Sequence, residues 1–366
     1  MKIGISTIID FDNYGNRLQN YASQQVIKSL GLEVETLPRV IYYSNKNKLK
    51  SRVLKCLKKV ENYLKPQKDD LRFQNQLLRE KYFMEFTDKY INSSSHYVKD
   101  YYQLKKLSKK YDFVITGSDQ VWNYNFRPNL KIDFLKFISQ NKRISYAASF
   151  GVSEIPEKYK KKYREYLNEM QCLSVREYAG QKIIKDLTGR DAEVLIDPTM
   201  MLNKDEWLQV ASKPECTPKK KYLLTYVLGN QTADFKEFIN QLAKEKDLEI
   251  LNLLNPYDKN IHCVDPGEFV YLINNADVMI TDSFHGSVFS ILMETPFVIF
   301  ERQDSHVSMN SRIDTLVSTF KMESRLSSRI KTVEDVYNID FSHIADILKQ
   351  ERNRAIIYLK KAFSMK

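Results

Sequence analysis

Short apolar runs alternate with stretches of helical spacing along most of the chain. Residues 2–7 form an apolar run that predicts a strand. Residues 17–30 then place Leu18, Tyr21, Ala22, Val26 and Leu30 at helical intervals and stop at Gly31, a helix C-terminal signal. Further strands are expected at 34–37, 112–116, 143–149, 172–175 and 194–196, with helices at 156–170 and 177–187 between the later ones. A second series follows Pro214 and the run Lys219-Lys220-Lys221. It has strands at 222–228, 249–254, 278–281 and 297–300, and helices at 234–246, 266–275 and 286–294. This alternation predicts an α/β chain with mainly parallel sheets covered on both faces. A chain of 366 residues suits two cores better than one. We therefore expect an N-terminal domain over 1–214, a C-terminal domain over 215–330 and a helical tail over 331–366 that packs back.

Residues 44–110 interrupt the alternation with polar, helical sequence. Within them Leu49, Val53, Cys56, Leu57, Val60 and Leu64 line one helix face, and Lys46, Lys48, Lys50, Arg52, Lys55, Lys58 and Lys59 crowd the rest. Such a helix either covers the core as a solvated surface element or lies on an anionic bilayer.

The formal net charge of +11 admits nucleic acid, an anionic membrane or anionic small molecules as partners. No basic motif with interleaved aromatic residues is present, so nucleic acid is not expected. The four cysteines are scattered without a CxxC pair, which argues against a zinc site and a disulfide framework and suits a reducing cytoplasm. The N-terminus enters a strand at once and shows no signal-peptide core, and no apolar run reaches membrane-spanning length. A cytoplasmic protein is expected, with the inner face of the membrane as the place where a basic surface would dock.

Four segments bring polar chemistry to strand ends, where open α/β sheets bind ligands. In the first, Gly15 permits a tight turn, and Asn16, Arg17 and Gln19 offer donors beside a helix start; ordinary turn and capping chemistry would explain the same residues. In the second, Ser118, Asp119, Gln120 and Asn123 can bond hydroxyls while Trp122 offers a face for a sugar ring. In the third, Arg176 follows a strand and can grip a carboxylate or phosphate with its fork, or pair with Glu177 at the surface. The fourth, Asp277 to Ser287, runs strand, turn, helix. Its helix N-terminus is a ready anion site, flanked by Ser283, Gly286 and Ser287, with His285 able to deliver a proton or bind a phosphoryl oxygen. Arg302 follows the next strand and can join the rim.

In order along the chain, the segments NYGNRLQNYA, DFVITGSDQVWN, SYAASFG, SVREYAG, VLIDPTMML and TDSFHGSVFSILMETPFVIF resemble the polysaccharide pyruvyl transferase family. The resemblance covers most of residues 1–320. It implies two Rossmann-like domains facing a cleft, in the manner of GT-B glycosyltransferases, and transfer of pyruvyl from phosphoenolpyruvate to two sugar hydroxyls as a ketal. It also implies a place in capsule, exopolysaccharide or cell-wall assembly. Arg176 and His285 are the positions it marks as donor-binding and catalytic. On this reading His285 and the helix at Gly286 hold the phosphate, Arg176 holds the carboxylate, His285 acts as acid, and Asp119 steers or deprotonates the acceptor. Asn16, Arg17, Gln19, Ser118, Gln120, Trp122 and Asn123 would face the acceptor. No metal and no cofactor beyond the co-substrate is expected, and a basic face would suit a lipid-linked acceptor. Two rivals stand beside it. One is a GT-B glycosyltransferase using a nucleotide sugar, with Glu268 or Glu301 on the ribose. The other is a non-catalytic saccharide-binding protein.

Overall fold

Strand β1 (Lys2–Ser6) runs parallel to β2 (Glu33–Thr36) on one side and to β5 (Phe113–Thr116) on the other, and β6 (Arg143–Ser145) completes the order β2-β1-β5-β6. The computed structural model describes residues 1–40, 67–95, 97–127, 130–302 and 310–365. The basic amphipathic stretch expected from Leu49 to Leu64 lies outside the described residues.

Two short strands, β7 (Ser174–Val175) and β8 (Glu193–Val194), continue this first sheet through parallel bridges from Ile144 to Cys172 and from Ala148 to Val175. A second parallel sheet has the order β10-β9-β11-β12, from β9 (Tyr222–Tyr226), β10 (Glu249–Asn252), β11 (Val278–Thr281) and β12 (Phe297–Ile299). A minor pair joins β3 (Arg39–Val40) to β4 (Tyr97–Val98). Val278, Met279 and Ile280 are all buried, as a parallel strand covered on both faces requires.

The elements follow local sequence logic. Asp265 and Glu268 form a reciprocal capping box at the start of the Pro266–Asn275 helix, whose proline at the first helical position loses no needed N–H. The Tyr178–Thr188 helix ends where Gly189 turns left-handed (φ 72°). Two helices begin earlier than their apolar periodicity predicts, because side chains cap them. Asn13 accepts from the Asn16 amide to start Tyr14–Ser29, and Ser283 accepts from the Gly286 amide to start Phe284–Met293. The strand expected over 143–149 stops at Ser145, because Ala147 takes a positive φ of 46° and breaks the ladder.

The two sheets share apolar packing. One cluster joins Tyr14, Leu18, Phe83 and Phe86 from the first half to Tyr226, Phe269, Val288 and Phe289 from the second. Tyr14 stacks on Phe269 with ring centroids 4.3 Å apart. The Gln67–Tyr90 helix straps the halves together: Arg79 donates to Asp12 and Tyr14 on one side and to the His262 carbonyl on the other, while Asn75 donates to the Pro256 carbonyl. The Ile344–Ala362 helix returns to the first sheet, where Ala355, Tyr358 and Leu359 pack with Ile3 and Ile5 and the Tyr358 hydroxyl donates to the Ser145 carbonyl.

Candidate active site

The C-terminal ends of β1 and β11 open onto one cleft of about 730 Å³ between the two sheets. Asn13, Asn16, Asp119 and Gln120 line it from the first half, and Ser283, Phe284, His285, Arg302 and Arg312 from the second. The Tyr14–Ser29 and Phe284–Met293 helices both start here, and neither carries an acidic residue in its first turn. Their positive dipole ends therefore add at the cleft. They meet at Gly15 and His285: a Cβ built on Gly15 would lie 1.9 Å from His285 Nδ1. The glycine is required by this approach rather than by a turn, since it lies inside the first helical turn.

Behind His285 sits a buried ionic cluster. Asp197 Oδ2 accepts from Arg176 Nη1 at 2.5 Å, lies 2.8 Å from the Ser118 hydroxyl, and is 3.6 Å from His285 Nε2. Its other oxygen accepts from the Thr199 amide and hydroxyl. Arg176 Nη2 is 3.5 Å from Asp119 Oδ1, and Asp119 Oδ2 accepts from Asn16 Nδ2 at 3.2 Å. Asp119 holds a positive φ of 74°, a conformation that aspartate tolerates better than most residues.

Charge pairing beats desolvation through most of this cluster. Burial opposes ionisation of Asp197, but the His285 ring and the Arg176 guanidinium hold its carboxyl far below the usual carboxylate range. Burial opposes ionisation of Asp119 too, and Arg176, His285 and Arg312 outweigh it. Burial works against the charge on Arg176, and Asp197 and Asp119 restore it and raise its pKa. Arg312 differs: burial first, and then the neighbouring Arg176 guanidinium, push it down to about 10.

The residues expected at the site divide between the cleft and its supports. His285, Ser283, Asn16, Asp119, Gln120 and Arg302 line the cleft. Arg302 Nε stands 3.4 Å from Asp282 Oδ2, a carboxylate that also accepts the Leu228 and Gly229 amides. Arg176 does not line the cleft; its side chain is 1% exposed and is engaged with Asp197 and Asp119. Trp122, expected to stack on a sugar, is fully buried instead. It stacks on Phe134 at 5.0 Å, and its indole N–H donates to the Asp133 carbonyl. The loop after β5 folds its indole into the apolar core of the first half, because that area gains more from burial than from solvent. Asn123 is buried with its amide on Gln120 Oε1, and Ser118 is held by the Ala147 carbonyl and Asp197. Arg17 is buried on Asn16 Oδ1 and the Ile8 carbonyl, and Gln19 donates to the Thr7 hydroxyl and the Asn16 carbonyl. Both therefore support Asn16 from behind. Ser287 is buried with its hydroxyl on the Ser283 carbonyl. Gly286 is a packing glycine, since a Cβ there would lie 2.5 Å from Thr281 Oγ1. Of the two ribose candidates, Glu268 is engaged with the Asp265 amide and Glu301 is outside this cleft's lining.

Sequence reasoning missed Asp197 and Arg312. Asp197 had a signal, an acidic residue directly after an apolar strand in VLIDPTMML. Arg312 had none, because it stands near the start of an ordinary amphipathic helix (Ser311–Phe320). Among the described residues no group of three or more His, Cys, Asp or Glu side chains is placed to hold a metal ion. No helix among them is long and apolar enough to cross a membrane. Cys172, Cys216 and Cys263 are free thiols.

Comparison with known proteins matches the sequence to a family. The polysaccharide pyruvyl transferase family matches residues 13–305, and the chain belongs to that family. No curated protein matches the sequence significantly. Among solved structures, the S. aureus MnaA–UDP co-structure is similar at a TM-score of 0.51 and 10% identity, covering 100% of this chain and 98% of that one. UDP-GlcNAc 2-epimerase from Methanocaldococcus jannaschii is similar at a TM-score of 0.50 and 11% identity, covering 96% of this chain and 94% of that one. At such identities the likeness establishes the fold, a GT-B-like arrangement of two parallel sheets about a cleft.

Proposed function

We propose that this chain moves the pyruvyl group of phosphoenolpyruvate onto two hydroxyls of a sugar in a surface polysaccharide or its precursor, forming a cyclic ketal and releasing phosphate. One observation carries this reading. The His285 imidazole lines the cleft at the meeting point of two helix N-termini, backed by the Asp197 carboxylate at 3.6 Å. A small, highly anionic donor needs such converging positive dipoles, and an enol phosphate needs a proton delivered to its methylene carbon. His285 gives that proton, and C2 becomes electrophilic. A first sugar hydroxyl adds to C2 and loses its proton, with Asp119 steering or accepting. A second hydroxyl then displaces phosphate from C2 and loses its own proton. Asp197, 3.6 Å behind the ring, orients the imidazole, as a carboxylate behind a histidine does.

The cleft exceeds what phosphoenolpyruvate alone would fill, which leaves room for a sugar on the side of Asn16, Asp119 and Gln120. A lipid-linked acceptor at the inner face of an anionic membrane fits the net charge of +11. The test is an acceptor library incubated with phosphoenolpyruvate. Phosphate release in step with the mass gain of a pyruvyl ketal is expected, and the absence of both across sugar nucleotides, oligosaccharides and lipid-linked sugars overturns the proposal.

A second reading, a transferase that uses a nucleotide sugar, draws on the UDP bound in the structurally similar S. aureus protein. Thermal-shift titration separates the two: stabilisation by phosphoenolpyruvate and not by UDP-sugars favours the first, and the reverse favours the second.

A further inference from the structure

Arg312 is a buried cation that forms no ion pair among the described residues, although the Asp119 carboxylate is near enough to feel its charge. It is 7% exposed and lines the cleft, yet among the described residues its Nε has no hydrogen-bond partner and no ion pair joins its guanidinium. Its Cζ lies 6.0 Å from the Phe284 ring centroid, and the Arg176 Cζ lies 4.2 Å from the same centroid, so the first ring of the Phe284–Met293 helix stands beside two guanidinium groups. The two arginines are unequally provided for. Arg176 has carboxylates close by, Asp197 at 2.5 Å and Asp119 at 3.5 Å, although its buried Nε and Nη2 likewise make no hydrogen bond among the described residues. Of the other cleft arginines, Arg302 has Asp282 at 3.4 Å and Arg127 pairs with Asp133. A desolvated, unpaired charge is costly and is kept where a ligand completes it.

We propose that Arg312, and not Arg176, supplies the guanidinium that grips the oxyanion of the ligand at the Phe284–Met293 helix N-terminus, and that Arg176 is a positioning residue which holds Asp197 and Asp119 behind His285. The identity of that ligand as phosphoenolpyruvate rests on the proposed function; the oxyanion chemistry does not. A guanidinium fork matches a carboxylate or a phosphate edge with two parallel N–H bonds, which lysine cannot reproduce.

The experiment titrates phosphoenolpyruvate, inorganic phosphate and pyrophosphate calorimetrically into the wild-type protein, Arg312→Gln, Arg312→Lys and Arg176→Gln, and records the melting temperature of each without ligand. Arg312→Gln should weaken anion binding about 10- to 100-fold, the range for losing a charge-assisted hydrogen bond. It should leave the ligand-free melting temperature unchanged or higher. Arg312→Lys should recover only part of the affinity. Arg176→Gln should lower the ligand-free melting temperature, because it strands two buried carboxylates. If Arg312→Gln binds all three anions as the wild type does, or if it melts lower with affinity intact, the assignment is overturned. Wild-type binding of phosphate or pyrophosphate through Arg312, with none of phosphoenolpyruvate, would uphold this inference and sink the donor reading. Failure of the wild type to bind any of the three would overturn the inference itself.

Discussion

Gly15 and His285 approach so closely that only a hydrogen atom fits between them, with 1.9 Å separating a notional Gly15 Cβ from His285 Nδ1. The contact couples the first turn of one half's leading helix to the cleft-lining histidine of the other half. It fixes where the imidazole can stand, with Asp197 on the opposite side at 3.6 Å. A one-atom change 270 positions away in sequence is thus a change at the site, by the difference between 285 and 15.

Gly15→Ala is expected to push the imidazole off Asp197. Overpacking should cost about 1–3 kcal/mol of stability. Displacement of a reacting group should lower phosphate release by about 100-fold. Thermal melting and steady-state turnover measure the two effects, and turnover within twofold of wild type would show that the contact does not position His285.

His285→Asn should fold normally, because Arg176 still neutralises Asp197 in its absence. Loss of a general acid should lower kcat by about 100- to 10,000-fold. Phosphate release from phosphoenolpyruvate with acceptor present reads it, and undiminished kcat would remove His285 from the chemistry.

Asp197 links stability to pH. Its carboxyl is depressed in the folded protein, through His285 and Arg176 acting against burial. The stability it contributes is therefore present above the unfolded value of about 4 and is lost as pH falls below that value. Asp197→Asn should cost about 3 kcal/mol at neutral pH by leaving Arg176 undercompensated. It should also flatten the decline of melting temperature between about pH 4 and 2. A variant whose melting temperature falls with acid as steeply as that of the wild type would refute the linkage.

Trp122→Phe separates a core role from a sugar-stacking role. The indole N–H bond to the Asp133 carbonyl at 3.2 Å and part of the packing on Phe134 would be lost. The expected cost is about 1–3 kcal/mol, with acceptor KM unchanged. A raised acceptor KM with unaltered stability would instead place the ring against the sugar.

Much of the framework was legible in local pattern. The Pro266–Asn275 helix and the Val278–Thr281 strand agree with the sequence reading at both ends, because a capping box, a first-turn proline and a fully apolar strand are signals carried within a few residues. Helix starts at Tyr14 and Phe284 were read late, since a cap recruits polar residues that apolar periodicity does not count. Within the site, His285 and Asp119 were legible because each follows a strand in a polar segment, and both line the cleft. Trp122 and Arg176 were legible as residues at strand ends but not in their orientation. A strand end delivers side chains both to the cleft and to the core behind it, and sequence does not say which.

Local pattern along the chain is enough for the α/β alternation, the parallel sheets and the two strand-to-helix turns that make anion-favouring helix starts. These depend on periodicity and capping, which act over a few residues. Long-range packing is what makes Gly15 lack a side chain for the sake of His285, pairs Asp197 with Arg176, and leaves Arg312 at the cleft with no ion pair among the described residues. Those relationships join residues far apart in the chain, and they exist only once burial of a shared core has brought the two sheets together and removed the water that would otherwise have answered each charge.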